Sequence, residues 1–255
     1  MLSRDKYFIG LAEKGKREDG RKTDEFRKIE IQTGVVEKAE GSALVKLGST
    51  QILAGIKMDV REPFSDSPNE GVLMAGAELS PIASPLFESG PPSVESIELS
   101  RIVDRGIREA HAIDFEKLCI VEGEKVWVVS VDIHVLDNGG NMMDAAGLAA
   151  IAALLDAKMP KYENDKVIST EKKGKLPVTC KPIAVTHIKI GNNLIVDPLI
   201  EEESVADAKL TVTTKDDGNI TSLQKSGSKG LTLKEIEEIF DRSIKNGKEI
   251  RKLLK

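Results

Sequence analysis

A chain of 255 residues, 40% hydrophobic and 31% charged, holds enough apolar material for one large domain or two smaller ones. Its net charge of −5 argues against a surface coated with basic residues for nucleic acid, so any such contact must be a local patch. The longest apolar-rich run, residues 145–155, is far shorter than the roughly 20 residues a bilayer needs, and the opening residues lack the apolar centre of a secretory signal; the expected location is the cytoplasm, with no membrane contact.

A short helix is expected over residues 4–14, then a turn at Asp19-Gly20 and a strand over 28–33. The stretch "GSALVKLGSTQILAGIKMDV" predicts two strands joined at Gly48-Ser49. Residues 61–90, rich in Pro, Ser and Gly, are expected to form a long loop. In "SVESIELSRIVDRGIREAHAI", Leu99, Ile102, Val103, Ile107 and Ala110 recur at helical spacing, with Arg101, Arg105 and Arg108 together beside the stripe. The segment "KVWVVSVDIHV" alternates as a strand, placing Trp127, Val129, Val131, Ile133 and Val135 on one face. After "LDNGG" comes a helix of small residues, expected to be buried on nearly all sides.

A charged stretch, 158–175, leads to a second, strand-rich part. Hairpins are expected around Gly191-Asn192-Asn193 and at Asp217-Gly218. Thr232 and Glu235 have capping-box spacing at the head of a last helix, whose buried face is expected to carry Ile236, Ile239, Phe240, Ile244 and Ile250. Strands and helices mix without regular alternation, which predicts an α+β fold. The expected division is an N-terminal helix and extension over 1–30, a first half over 31–165 and a C-terminal half over 166–255.

Candidate chemistry begins at the two glycines. A strand ending in Gly139-Gly140 before a helix has the shape of a phosphate cradle, because helix N-termini offer unpaired N–H groups to anions. No GxGxxG pattern accompanies it, which argues against a dinucleotide site. Asn141 and Asp144 suit an N-cap and a first-turn carboxylate, Asp144 would repel a phosphate, and Met142 and Met143 offer no donor. Ser130, Asp132 and His134 lie at alternate strand positions, about 6.6 Å apart, and so do not converge as a triad. Cys119 and Cys180 have no CxxC partner and read as buried thiols rather than zinc ligands or a disulfide framework.

Two patterns stay open on the residues alone. Arg101, Arg105 and Arg108 could bind phosphodiesters, or could be a solvated face in which Glu98–Arg101 and Asp104–Arg108 form surface pairs. The run "DPLIEEESVADAKL" could supply a metal or general-base site; it could equally be a solvated acidic cluster, with Asp207 and Lys209 neutralising each other on one strand face.

Taken in order, "REDGRKTDEFRKIEI", "GSALVKLGSTQILAGI", "ELSRIVDRGIREA" and "VDIHVLDNGGNMMDAAGLAA" resemble the RNase PH family over nearly the whole chain. Within that family they look most similar to the ring subunits of archaeal exosomes that lack catalytic residues. The resemblance implies the RNase PH fold, of the ribosomal protein S5 domain 2-like type, in two β-α-β-containing halves. Catalytic relatives shorten RNA from the 3′ end with phosphate. Their glycine corner continues with Thr or Ser and then Arg, where this chain has Asn141 and Met142. Their two strand-borne acids match Glu203 and Lys209 here, so a lysine stands where the second carboxylate belongs. Such a chain is implied to have no catalytic or metal-binding residues and no cofactor of its own, phosphate and Mg²⁺ serving the partner's site. Its implied partners are a catalytic RNase PH-like exosome subunit, RNA-binding cap proteins and single-stranded RNA. Arg101 and Arg105 match arginines that reach RNA, with Arg108 and Arg61, in "VREPF", as further candidates. The rival expectation is a phosphate-dependent 3′–5′ exoribonuclease in its own right, which would need Asp207 to replace Lys209.

Overall fold

The computed structural model describes residues 3–254. The chain opens with helix α1 (Ser3–Glu13) and continues through β1 (Ile29–Thr33), β2 (Gly41–Leu47), β3 (Thr50–Arg61) and β4 (Val72–Leu79). Helix α2 (Val94–Glu109), a 3₁₀ turn at Glu116–Leu118, β5 (Cys119–Val121) and β6 (Lys125–Asp137) follow. Then come α3 (Met142–Asp156) and a hairpin of β7 (Lys158–Glu163) and β8 (Lys166–Lys175). The last part holds β9 (Ile183–Ile190), β10 (Asn193–Val196), α4 (Ile200–Ser204), β11 (Ala208–Thr214), β12 (Ile220–Ser226) and α5 (Leu233–Arg251).

The first sheet has the order β1-β2-β3-β6-β4, with β5 beside β6. All its pairs are antiparallel except β4 with β6, which run parallel because α2 carries the chain across between them. The second sheet, β10-β9-β11-β12, is wholly antiparallel. Helix α3 lies between the sheets, against β2 and β3 on one side and β9 on the other. That position accounts for its sequence: Ala145, Ala146, Ala149, Ala150, Ala152 and Ala153 are all buried, and only side chains this small allow sheets to close on a helix from both sides. A single apolar core therefore joins residues of both sheets, from Val45 and Ile133 to Ile183 and Val185.

Helix α5 covers the other face of the second sheet, where Ile239 meets Leu194, Leu210 and Val212. His187, the cross-strand neighbour of Leu210 and Val196, shares that face at 1% exposure. Among the described residues neither of its ring nitrogens has a hydrogen bond of normal geometry, and burial, helped by the Arg242 charge and only partly offset by the Val185 backbone, pushes its pKa down to about 3.

Four expectations need correction. The stretch 61–90 is not all loop, since β4 occupies its middle; Ala75-Gly76-Ala77 hid it, being small residues of low strand propensity that fit under α2. The charged stretch 158–175 is a hairpin, its strands exposed enough to be built from lysines. On α5 the fully buried positions are Ile239, Ser243, Gly247 and Ile250, while Ile244 is more than a third exposed because it falls beside the stripe. Both cysteines are half-buried rather than buried. Among the described residues no helix is long and apolar enough to cross a membrane.

Candidate functional site

The corner between β6 and α3 is filled by its own chain. Gly140 has φ +92, and a Cβ there would overlap the backbone of Leu199 and Ile200, so the glycine admits the segment leading into α4. The carbonyl oxygens of Gly139 and Gly140 accept from Arg27, at 2.9 Å and 3.1 Å, and that of Gly140 also accepts the Thr50 hydroxyl. Arg27 reaches with Nε and Nη2 to the carboxylate of Asp197, which takes the Arg27 backbone N–H and Arg21 Nη1 as well. Burial alone would raise the Asp197 carboxyl, but the hydrogen bonds and charge of Arg27 outweigh it and hold the group below the usual carboxylate range.

Asn141 does not cap α3 with its side chain, as the sequence led one to expect. It sits in the left-handed region, φ 53, and its Nδ2 donates instead to Asp144 Oδ2 at 2.8 Å and Asp197 Oδ1 at 2.9 Å. Asp144 is turned away from the corner, buried beneath β9, where it accepts the backbone N–H and hydroxyl of Thr186. Burial pushes its pKa up to about 7 against the pull of those donors. The expectation that Asp144 faces an incoming phosphate is therefore wrong.

Next to this knot, Arg17 pairs bidentately with Glu202, both side chains enclosed, and donates to the carbonyls of Val196 and Asp197. Glu203, one residue on, is half-buried. Burial raises its pKa, countered by the Lys209 ammonium, the Asn141 backbone N–H and the Arg27 guanidinium. The structure thus brings Glu203, Lys209 and Asn141 into one neighbourhood. Asp207 is not the partner of Lys209; its carboxylate holds Lys229 at 2.8 Å and the Gly191 N–H at 2.9 Å.

The arginines of α2 have a different fate. Ser93 caps this helix by accepting the Ser96 N–H, and its buried stripe of Leu99, Ile102, Val103 and Ile107 fixes which side chains point outward. Arg108 is engaged: it grips Asp104 with two nitrogens and donates to the Leu73 carbonyl on β4. Arg101 and Arg105 are exposed and make no ion pair or side-chain hydrogen bond among the described residues, so the expected Glu98–Arg101 pair does not form. They border a groove of about 430 Å³ between α2 and the second sheet, walled by Ile97, Thr211, Thr213 and Leu223. Arg61 is elsewhere, at the end of β3, 3.7 Å from Asp59 and lining another cleft beside Tyr162. Ser130, Asp132 and His134 do not converge; His134 faces Glu78 on β4.

Arg17, Arg21 and Arg27 were missed from the sequence, and Asp197 and Glu202 were seen only as members of an acidic run. The arginines' local signal is their clustering in a turn-rich segment, while their acceptors lie 170 to 185 residues away.

Residues 25–160 match the 3′ exoribonuclease family, domain 1, and residues 180–246 match its domain 2. Exosome complex component Rrp42 of Pyrococcus abyssi is 51% identical over 252 residues, spanning 97% of this chain and 92% of the relative. The same component from Archaeoglobus fulgidus is 51% identical over 249 residues, spanning 98% and 95%. Among solved structures, a chain of the Archaeoglobus fulgidus exosome with RNA bound to the active site superposes with a TM-score of 0.93 at 50% identity, covering 99% of this chain and 98% of that one. Rice Rrp46, at 16% identity and a TM-score of 0.68, shares the fold.

Proposed function

Because the chain belongs to the RNase PH family of 3′ exoribonucleases, we propose that it serves as the non-catalytic subunit of a cytoplasmic exosome ring, alternating with a catalytic paralogue around a six-membered pore. There it shapes the partner's active site and holds single-stranded RNA for 3′-to-5′ phosphorolysis, with RNA-binding cap proteins on one face of the ring.

The observation that carries this reading is the closed corner. An attacking orthophosphate needs donors aimed at it, but the Asn141 amide is directed at two carboxylates, Arg27 at two carbonyls, and Met142 has no donor. A divalent cation needs carboxylates, and Lys209 sets an ammonium where the second would stand. The residues present fit neither group, so phosphate and Mg²⁺ belong to the partner's site. What this chain contributes is positional. Arg101 and Arg105, one helical turn apart and without internal partners, can each fork onto a phosphate oxygen pair, which binds RNA without regard to sequence and weakens with salt.

The test is diphosphate release from an RNA with an unstructured 3′ end, in phosphate and magnesium. The chain alone is expected to release none, and the mixture with its catalytic paralogue to be active; release by the chain alone overturns the reading. In the assembled ring, Arg101→Ala with Arg105→Ala is expected to weaken RNA retention about tenfold or more at low salt. Unchanged retention removes those residues from the RNA path.

A further inference from the structure

The hairpin of β7 and β8 carries six lysines, Lys158, Lys161, Lys166, Lys172, Lys173 and Lys175, against three acids, in a chain whose net charge is −5. The acids are already engaged: Glu163 and Glu171 both hold Lys161, and Asp165 holds Lys125. Lys172 and Lys57 share the buried Glu40, and Asp156, at the foot of the hairpin, accepts the Ser42 N–H. Lys158, Lys166, Lys173 and Lys175 are left exposed and without an acidic partner among the described residues.

The pairing concentrates three of these charges. Lys158 lies directly opposite Lys175, although like charges at facing strand positions destabilise a pair. Lys173 is the extra residue of a bulge, since Met159 faces Gly174 and the next residue, Pro160, faces Lys172. We propose that Lys158, Lys173 and Lys175 form a second, sequence-independent site for the phosphodiester backbone of RNA, on a different element from the arginines of α2. The inference rests on the reading that the chain holds RNA and extends the path. The hairpin starts at the C-terminal end of α3, whose 15 residues separate it by about 22 Å from the glycine corner. Bare ammoniums suit phosphate oxygens as point charges, whereas protein interfaces are depleted in lysine and need apolar or aromatic anchors, which this strand end lacks.

The test uses the chain assembled with its catalytic paralogue and two labelled single-stranded oligoadenylates, about 30 and about 6 nucleotides long. With Lys158→Gln, Lys173→Gln and Lys175→Gln together, the long RNA is expected to bind about tenfold more weakly at low salt, and the slope of log affinity against log salt to fall by about 2, while the short RNA is unaffected. Arg101→Ala with Arg105→Ala is expected to weaken both. Unchanged affinity and slope for the long RNA, with the arginine variant still impaired, overturns the hairpin site alone; no effect of either variant overturns the RNA reading with it. Loss of a protein partner at constant RNA affinity also overturns the proposal. Size-exclusion and melting profiles identical to the parent establish that the lysine variant folds and assembles.

Discussion

The glycine corner and the exposed side of α2 both present arginines, and they use them in opposite ways. At the corner, Arg27 directs its guanidinium and its backbone N–H to acceptors of the same chain, and Arg17 and Arg21 do likewise. On α2, Arg101 and Arg105 meet no acceptor of their own chain among the described residues, while Arg108, a single turn from Arg105, does. A guanidinium completed from within holds an architecture together; one left incomplete is available to a ligand.

The largest effect that could break this comparison is on stability at the corner. Arg27→Ala leaves the enclosed Asp197 carboxylate short of two donors and two carbonyls without their guanidinium, and is expected to cost about 3–5 kcal/mol in urea unfolding. A loss under about 1 kcal/mol would mean that the knot is ornamental. Acid provides the next test. His187 is held neutral, with a pKa near 3, so its contribution is complete above the ordinary histidine value and is lost as pH falls from about 6.5 towards 3. At pH 5 this amounts to about 2 kcal/mol, opposed by Asp144, whose pKa near 7 makes its protonation favour the folded state over the same range; His187→Leu is therefore expected to leave stability rising as pH falls from 7 to 5, and a slope unaltered by the substitution overturns the assignment to His187. The smallest effect belongs to the outer face, where removing Arg101 and Arg105 is expected to change stability by less than about 0.5 kcal/mol, as measured by the same unfolding curves. The same substitutions weakening RNA retention without touching stability is the sharpest form of the contrast.

Much of the fold was legible because its signals are local. Alternation in β6, helical spacing in α2, the capping box of α5 and the Gly-containing turns each lie within a few residues. The strand β4 was not, because its small residues serve a helix packed above it, and the β7–β8 hairpin was not, because its exposed lysines mask the alternation of Met159, Tyr162 and Val167 that pack inward. At the site, the residue types at Asn141, Met142 and Lys209 could be read directly. The conformation of Asn141, the inward turn of Asp144 and the true partner of Asp207 could not, since each depends on a group brought from a distant segment: Asp197, Thr186 and Lys229.

The clasp between Arg17 and Glu202 has a bearing on how the polypeptide is made. Its two ends are 185 positions apart, so on the ribosome Arg17 stays without this partner until Glu202 has emerged. A polypeptide released before that point lacks the clasp beside the corner.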